Sequence, residues 1–211
     1  YARVPVYELR LLAFEQSGAD AAAVQAWLDS RRRDPAIEHL MDTLLTGSQR
    51  LVGQRAPSLA GPRSDGGKIS LAEFAGRPVL VYFFATWAQT CDEATAAVTS
   101  LAKAEGAPAV IGVSPDTKET LPRIAAWRDR NGVAFPVLAE GHGWDSELDD
   151  AWHVTAIPAL VLVGADGAVV ANDLVGRDAV DTRRRVTAAL NAPARPAAEP
   201  ARPQAGEEAI P

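Results

Sequence analysis

The chain has 211 residues and a formal net charge of −6 at pH 7, with 47% hydrophobic and 23% charged residues. This length suits one domain with a full core and a smaller appendage, and the acidic balance argues against a nucleic-acid-binding protein. No apolar stretch of the sequence reaches the length that a membrane-spanning helix requires. The single cysteine excludes an intramolecular disulfide and a cysteine-cluster metal site.

Three helices are predicted in residues 1–50, where apolar side chains recur at helical spacing. Gly18 separates the first helix from the second, Asp34-Pro35 provides a cap and a first residue for the third, and Gly47 ends it. We expect these helices to form an N-terminal helical segment that packs on the main domain. The same pattern also suits a docking surface for a partner protein.

A β-hairpin is predicted ahead of the core of the main domain. Residues 52–67 are rich in glycine, proline and serine, and Gly66-Gly67 fits a hairpin turn. Ser70 fits the cap of a short helical turn that ends at Gly76. This segment therefore leads the chain into its first core strand.

The apolar run over residues 79–85 is rich in β-branched and aromatic side chains and predicts a buried strand. The run ends at Trp87, and from Cys91 to about residue 105 the composition is helical. Backbone N–H groups at the start of this helix are expected to stabilise a thiolate on Cys91. Asp92 and Glu93 lie in the first turn, where an acidic side chain compensates the helix dipole, although Glu93 could also perturb the pKa of Cys91.

Strands and helices are predicted to alternate along the rest of the chain. The further elements are a strand at 109–113, a helix at 119–131, a short edge strand at 135–138, a helix at 147–153, a strand within 154–163, a hairpin partner at 169–170 and a closing helix at 180–190. The predicted helix at 119–131 is expected to carry one apolar face, formed by Leu121, Ile124, Ala125 and Trp127. The alternation indicates an α/β fold with a mixed central β-sheet of about four core strands flanked by helices. Residues 191–211, dominated by proline, alanine and glutamate, predict a disordered tail.

Two motifs resemble the thioredoxin superfamily, in particular the TlpA/ResA-like thiol-disulfide oxidoreductases. The first is F-F-A-T-W-x-x-x-C-D-E at residues 83–93, which is similar to the active-site turn of that family. The second is V-x-x-I-P-A-L-V-L-V-x-A-D-G at residues 154–167, which resembles the segment that carries the family's cis-proline. The resemblance covers residues 52–190 and implies a thioredoxin-like fold there, with the segments 1–50 and 191–211 outside the domain.

The resemblance also identifies the candidate catalytic positions. The family carries W-C-x-x-C, whereas residues 87–91 of this sequence read W-A-Q-T-C. In the family the first cysteine attacks the substrate and the second resolves the mixed disulfide. Ala88 therefore occupies the position of the missing nucleophile and Cys91 the resolving position, so the resemblance implies that dithiol exchange is disabled in this chain.

A substrate groove is implied beside the active-site turn. In the family the residue next to the cis-proline pairs with the substrate peptide as an added strand, which places Ile157 and Pro158 in that role, and Trp87 is expected to flank the groove. The implied partner is a protein thiol or disulfide, or a partner protein. No cofactor is expected, because there is no glycine-rich phosphate-binding pattern, and the scattered histidines give no metal site.

Three explanations of Ala88 remain open. It is an engineered replacement that silences an oxidoreductase, or it marks a natural member that binds rather than reacts, as an accessory subunit of an envelope complex. The third explanation is one-cysteine chemistry of the kind found in peroxiredoxins, whose motif is P-x-x-x-[ST]-x-x-C. Phe84 stands in place of the proline of that motif and Ala88 in place of its serine or threonine, which makes a peroxidase the least favoured explanation.

The resemblance further implies a periplasmic or otherwise extracytoplasmic location. The chain begins at Tyr1 rather than at a methionine, which is compatible with a trimmed form. A membrane tether outside the chain would fit the same family, whose members are either tethered or soluble.

Overall fold

Residues 51–144 and 146–192 are the part of the chain that the computed structural model describes. Its strands are β1 (Ala60–Pro62), β2 (Lys68–Ser70), β3 (Val79–Phe83), β4 (Ala109–Val113), β5 (Val137–Leu138), β6 (Ala159–Val163) and β7 (Val169–Ala171). Its α-helices are α1 (Asp92–Ala102), α2 (Arg123–Asn131), α3 (Glu147–Ala151) and α4 (Ala179–Leu190). The helices predicted in residues 1–50 and all but the start of the predicted tail lie outside the described residues.

The central sheet is mixed, with the strand order β5-β4-β3-β6-β7. Strand β3 pairs parallel to β4 and antiparallel to β6, while β1 and β2 form a separate antiparallel hairpin. The predicted α/β class with a mixed sheet and an entry hairpin is therefore confirmed. The predicted count of about four core strands is one short, because both short edge strands, β5 and β7, pair with the sheet.

Strand β3 is buried on both faces. Leu80 and Tyr82 belong to one core cluster, which includes side chains of α1, α2 and α4. Val79, Val81 and Phe83 belong to a second cluster, which includes side chains of the entry hairpin and of the segment around α3. This two-sided burial explains why the sequence of the strand is a continuous apolar run rather than an alternation of apolar and polar residues.

Local signals in the sequence set several boundaries as predicted. Gly66 and Gly67 adopt φ values of 98° and 79° in the hairpin turn, a region of backbone space that favours glycine. Ser70 caps the 3-10 helix Leu71–Phe74 in a capping box with Glu73. Gly132, with φ of 61°, ends α2 in the left-handed conformation.

Helix α2 starts four residues later than the predicted range 119–131. The preceding segment forms a turn instead, in which Leu121 N donates to Thr117 O at 2.8 Å. Pro122 then precedes the helix, and its lack of an N–H prevents it from continuing a hydrogen-bond ladder. The predicted apolar face is correct at Ile124 and Trp127, which are buried, but Ala125 is exposed because the helix turns it away from the core.

The predicted helix from Cys91 ends at Ala102, three residues before its expected limit. Its first residues differ too, because Gln89–Cys91 form a 3-10 helix and the α-helix begins at Asp92. Within residues 51–144 and 146–192, no helix combines the length and the apolar character needed to cross a bilayer.

Gly112 in β4 is expected to be essential for packing on the α1 side of the sheet. A Cβ atom built there would lie 2.9 Å from Cε1 of Phe84 and 3.2 Å from Cε2 of Phe135. The Phe84 ring cannot easily give way, because it stacks on Trp127 at a centroid distance of 4.3 Å. Gly112→Ala should therefore lower the free energy of unfolding by about 1–3 kcal/mol, measured by urea denaturation.

Gly61→Ala is the matched control, since Gly61 is also a strand glycine without a positive φ. The atoms it would meet, at 3.2 to 3.3 Å, are Cγ and the two Cδ atoms of Leu138, a single side chain near the sheet edge. Its cost should stay below about 1 kcal/mol. Equal costs for the two substitutions would show that Gly112 has no special packing role.

Candidate functional site

The turn between β3 and α1 separates an exposed indole from a buried sulfur. The chain stays buried through Phe84 and Ala85 and then reaches the surface, where Trp87 is 51% exposed. Ala88 is half-buried, and the chain returns to the interior at Cys91, which is 1% exposed. The 3-10 turn brings this about, because Cys91 N donates to Ala88 O at 3.0 Å.

The surroundings of Cys91 favour the neutral thiol. Burial raises the pKa of Cys91, and hydrogen bonds with the backbone at Ala85 and with the side chains of Tyr82 and Thr90 offset this only in part. The prediction of a thiolate stabilised by the helix N-terminus is therefore wrong for the protein as it stands. Loss of contact with water disfavours the charged sulfur more than the neighbouring donors favour it.

Tyr82 fastens the start of α1 to the central strand. Its hydroxyl donates to Cys91 O at 3.1 Å and forms a 2.8 Å hydrogen bond with Thr95 Oγ1. Burial also raises the pKa of Tyr82. A neutral phenol thus lies under the first turn of α1 and anchors the backbone of the cysteine.

A buried carboxylate holds the other end of the turn. Asp116, which is fully buried, accepts hydrogen bonds from Thr86 N at 3.0 Å and from Thr86 Oγ1 at 2.7 Å. Ser114 Oγ donates to the same carboxylate at 2.5 Å. The contact joins the end of β4 to the turn that carries Trp87 and Ala88, so Asp116 fixes where that turn leaves the sheet.

The sequence analysis missed Asp116, which follows the predicted strand at 109–113 without any recognisable motif. A signal existed. An acidic residue that closely follows a buried parallel strand lies at the same sheet edge as the turn after the neighbouring strand, and here the neighbouring strand is β3.

The Ile157-Pro158 segment lies beside the end of β3. The peptide bond between the two residues is cis, and both side chains are half-buried. They directly precede Ala159, which is paired with Phe83, the last residue of β3. Ile157 and Ala88 both pack against the core cluster that contains Cys91. The structure thus brings together in one region the candidate catalytic positions and the segment implied for substrate binding.

Glu93 is engaged away from the sulfur. Its Oε2 accepts a hydrogen bond of 3.2 Å from Ala179 N at the start of α4. This contact gives Glu93 a third role beside the two that the sequence left open, because it ties the first turn of α1 to the C-terminal helix.

The two histidines of the described residues lie at the surface. His142 and His153 are exposed, and His39 lies outside the described residues. Among residues 51–144 and 146–192, no three His, Cys, Asp or Glu side chains are grouped so that they could together hold a metal ion.

Fold and site together define a thioredoxin-like protein, and solved structures confirm the fold. The thioredoxin domain of a thiol-disulfide oxidoreductase from Bacteroides vulgatus matches with a TM-score of 0.55 at 23% identity, covering 64% of this chain and 95% of that one. A thiol:disulfide interchange protein of the thioredoxin family from Chlorobium tepidum TLS matches with a TM-score of 0.53 at 28% identity, with the same coverage of 64% and 95%.

The chain belongs to the AhpC/TSA family, whose family model matches residues 52–172. It is 33% identical over 121 residues to a provisionally named peroxiredoxin of Mycobacterium tuberculosis strain H37Rv, covering 51% of this chain and 68% of the relative. It is also 25% identical over 119 residues to the thiol-disulfide oxidoreductase ResA of Bacillus thuringiensis subsp. konkukian, covering 56% of this chain and 67% of ResA. The resemblance to thiol-disulfide oxidoreductases inferred from the two motifs is thus confirmed.

The thiol of Cys91 is expected to react slowly while the protein is folded. Its burial and its raised pKa both lower the concentration of accessible thiolate. Modification by an aromatic disulfide reagent at pH 8 should be slower than in concentrated urea by on the order of 100-fold or more, since reaction requires local opening. Similar rates in the two conditions would mean that the sulfur is accessible in the native protein.

Replacement of Asp116 by asparagine should release the turn. An amide presents a donor to at least one of the hydroxyl and N–H groups that now donate to the carboxylate. We expect the free energy of unfolding to fall by about 1.5–3 kcal/mol and the labelling of Cys91 to become faster. Asp129→Asn, at an exposed position of α2, is the matched control and should change neither quantity appreciably. Unchanged labelling in Asp116→Asn would contradict the role given to Asp116.

Proposed function

We propose that this protein is a thiol-disulfide oxidoreductase scaffold whose dithiol exchange is disabled at Ala88. One observation carries the proposal. The only cysteine of the sequence is 1% exposed, while the half-buried residue three positions before it is an alanine. The position implied for attack therefore has no nucleophile, and the sulfur that is present is shielded.

The chemistry explains why both groups are needed. In thiol-disulfide exchange a thiolate attacks one sulfur of a disulfide, and the other sulfur leaves as a thiolate, so that a mixed disulfide forms. A second thiolate then attacks the mixed disulfide and releases the reduced substrate. The methyl group of Ala88 cannot perform the first step. Cys91 lacks both the exposure and the lowered pKa that this step requires.

The resemblance implies a groove beside Trp87, Ile157 and Pro158 that a protein ligand would meet. Trp87 offers a large exposed indole, and the backbone around Pro158 precedes a strand of the central sheet. An extended peptide could pair there through its main chain, while side chains provide selectivity. The resemblance to TlpA/ResA-like proteins supports a periplasmic or otherwise extracytoplasmic location.

A natural non-catalytic subunit is the second candidate function. The observation that favours it is the 51% exposure of Trp87 next to the inert Ala88. Tryptophan is enriched at the energetic centres of protein interfaces. In this case the groove would hold a partner in an envelope complex without exchanging electrons with it.

A one-cysteine peroxidase is less favoured. Membership of the AhpC/TSA family and the relative named as a peroxiredoxin support it. Phe84 and Ala88, however, replace the two motif residues that accompany a peroxidatic cysteine, and Cys91 has a raised pKa rather than a lowered one.

Restoring a cysteine at position 88 should restore exchange. In an insulin-reduction assay with dithiothreitol, Ala88→Cys should accelerate insulin precipitation at least about tenfold over the unaltered protein, because a half-buried thiol replaces the methyl group. Ala88→Ser is the matched control, since it adds a polar atom of similar size without a competent nucleophile. It should stay at background.

The outcomes separate the three candidates. Activity in Ala88→Cys that disappears in Ala88→Cys/Cys91→Ser, with none in the unaltered protein, supports the oxidoreductase scaffold. Absence of activity in every variant favours the binding subunit. Consumption of hydrogen peroxide by the unaltered protein, lost in Cys91→Ser, would instead establish the peroxidase.

A further inference from the structure

An open groove lies between α1 and α4. It leaves about 510 Å³ of open space, a volume within the range of ligand-binding clefts. Its α1 side is lined by Leu101 and Ala104, and its α4 side by Arg183, Arg184, Ala188 and Asn191. Val180, which is 65% exposed, lies on the same face of α4 as the two arginines and extends this surface by one turn. The groove is therefore uncharged on the α1 side and cationic on the α4 side.

The positive charge of the α4 side is only partly neutralised. Arg184 pairs with Asp181, a carboxylate that Arg185 shares. Within the described part of the chain, Arg183 forms no ion pair. None of the residues that line the groove is acidic. A segment that carries carboxylates beside an apolar face would complement this surface in both charge and polarity.

Residues 34–45 have this composition. The sequence predicts a helix there, whose apolar residues recur at the spacing of one face and are Ile37, Leu40, Met41, Leu44 and Leu45. The acidic residues Asp34, Glu38 and Asp42 follow one another at intervals of four and so form a stripe along one edge of that face. No lysine or arginine occurs between positions 34 and 45. The predicted helix thus has an apolar face with one acidic edge.

The chain enters the domain at the end of the sheet where α1 also ends. Gly53 N donates to Val169 O at 2.8 Å, and Val169 is paired with Val163. Val163 is paired with Val79, the first residue of β3, so this end lies opposite the turn that carries Cys91. Helix α1 runs back from that turn and ends shortly before β4, whose first residue is also paired with Val79.

We propose that the predicted helix of residues 34–45 seats in the groove of its own chain. Its apolar face lies on Leu101 and Ala104, and its acidic edge lies beside Arg183 and Arg184. The mode is that of an amphipathic helix in a groove. Of the two expectations for residues 1–50, the proposal selects packing on the main domain over a docking surface for a partner protein.

The linker sets the direction and the level of the helix. Residues 46–50 span at most about 18 Å, so the helix has to end near the end of the sheet where the chain enters. It then runs in the same direction as α4, with Leu45 at the level of Asn191. Asn191 follows the two arginines by about 11 Å of helix rise, and the same rise leads from Leu45 back to Glu38. The proposal therefore pairs Glu38 with Arg183.

The groove and the turn of Cys91 lie at opposite ends of α1. The proposal is thus independent of the proposed redox function, and each can fail without the other.

The test is paramagnetic relaxation enhancement in the full chain, with a nitroxide attached through Thr43→Cys. Position 43 points away from the apolar face of the predicted helix, so the label does not block the groove. The amide signals of Leu101, Thr187 and Ala188 should lose most of their intensity and regain it when ascorbate reduces the label. The signals of Gly66 and Gly67, in the entry hairpin, should keep their intensity. The unaltered protein treated with the same reagent is the control for labelling at the buried Cys91.

Charge reversal tests the pairing of the acidic edge with α4. Arg183→Glu should cancel most of the intensity loss in the groove, Glu38→Arg should do the same, and the two together should restore it. Arg123→Glu is the matched control, because it reverses an exposed charge on α2 that does not line the groove. It should leave the intensity loss unchanged.

Four results would overturn the proposal. The first is unchanged intensity at the groove amides when position 43 carries the label. The second is an equal loss when labelled protein is mixed with isotope-enriched unaltered protein, which would make a second copy the occupant. The third is a loss caused only by a label attached through Ala205→Cys, which would assign the groove to residues 193–211. The fourth is an intensity loss that persists in both Arg183→Glu and Glu38→Arg.

Discussion

The burial of β3 on both faces is the constraint on which the rest of the structure depends. A five-residue strand with no exposed side chain requires helices on one side and the hairpin with α3 on the other. The same requirement places the turn at its end between two packed layers, with space for only part of the turn at the surface. Trp87 lies at the surface, and Cys91 is buried in the layer that α1 forms with its neighbours. The chemistry of the site is therefore set by the packing of the strand that precedes it.

The hydrogen bonds around the turn act on its two ends in different ways. Asp116 holds the exit from β3 through Thr86, whereas Tyr82 holds the entry into α1 through the carbonyl of Cys91. Between these anchors lie Trp87 and Ala88, whose side chains are not used by either anchor. A turn fixed at both ends and inert in its middle suits a preformed binding surface as well as it suits catalysis. The fold is therefore compatible with both leading functional proposals.

The features predicted from the sequence are those encoded by neighbouring residues. The hairpin glycines, the Ser70 cap, the buried strands and the end of α2 at Asn131 all depend on local backbone preferences, and the structure has each of them. The start of α2 was missed because a turn closed by Thr117 competes with the helix before Pro122. The sequence predicted a stabilised thiolate on Cys91, whereas burial raises the pKa of that thiol. The prediction failed because desolvation depends on which elements cover the sulfur. Asp116 was missed for the same reason, since its role arises only where separate segments meet.

The hydrogen bond from Ala179 to Glu93 has a consequence for how the domain is made. It connects residues 86 positions apart, and it accompanies extensive packing of α4 on α1, in which Val186 is fully buried. During synthesis the core-facing side chains of α1 stay exposed to solvent until α4 has been made and packs on them. A nascent chain that stalls before residue 179 would thus expose an apolar surface that chaperones can bind. The domain can complete its core only after its last helix has been synthesised.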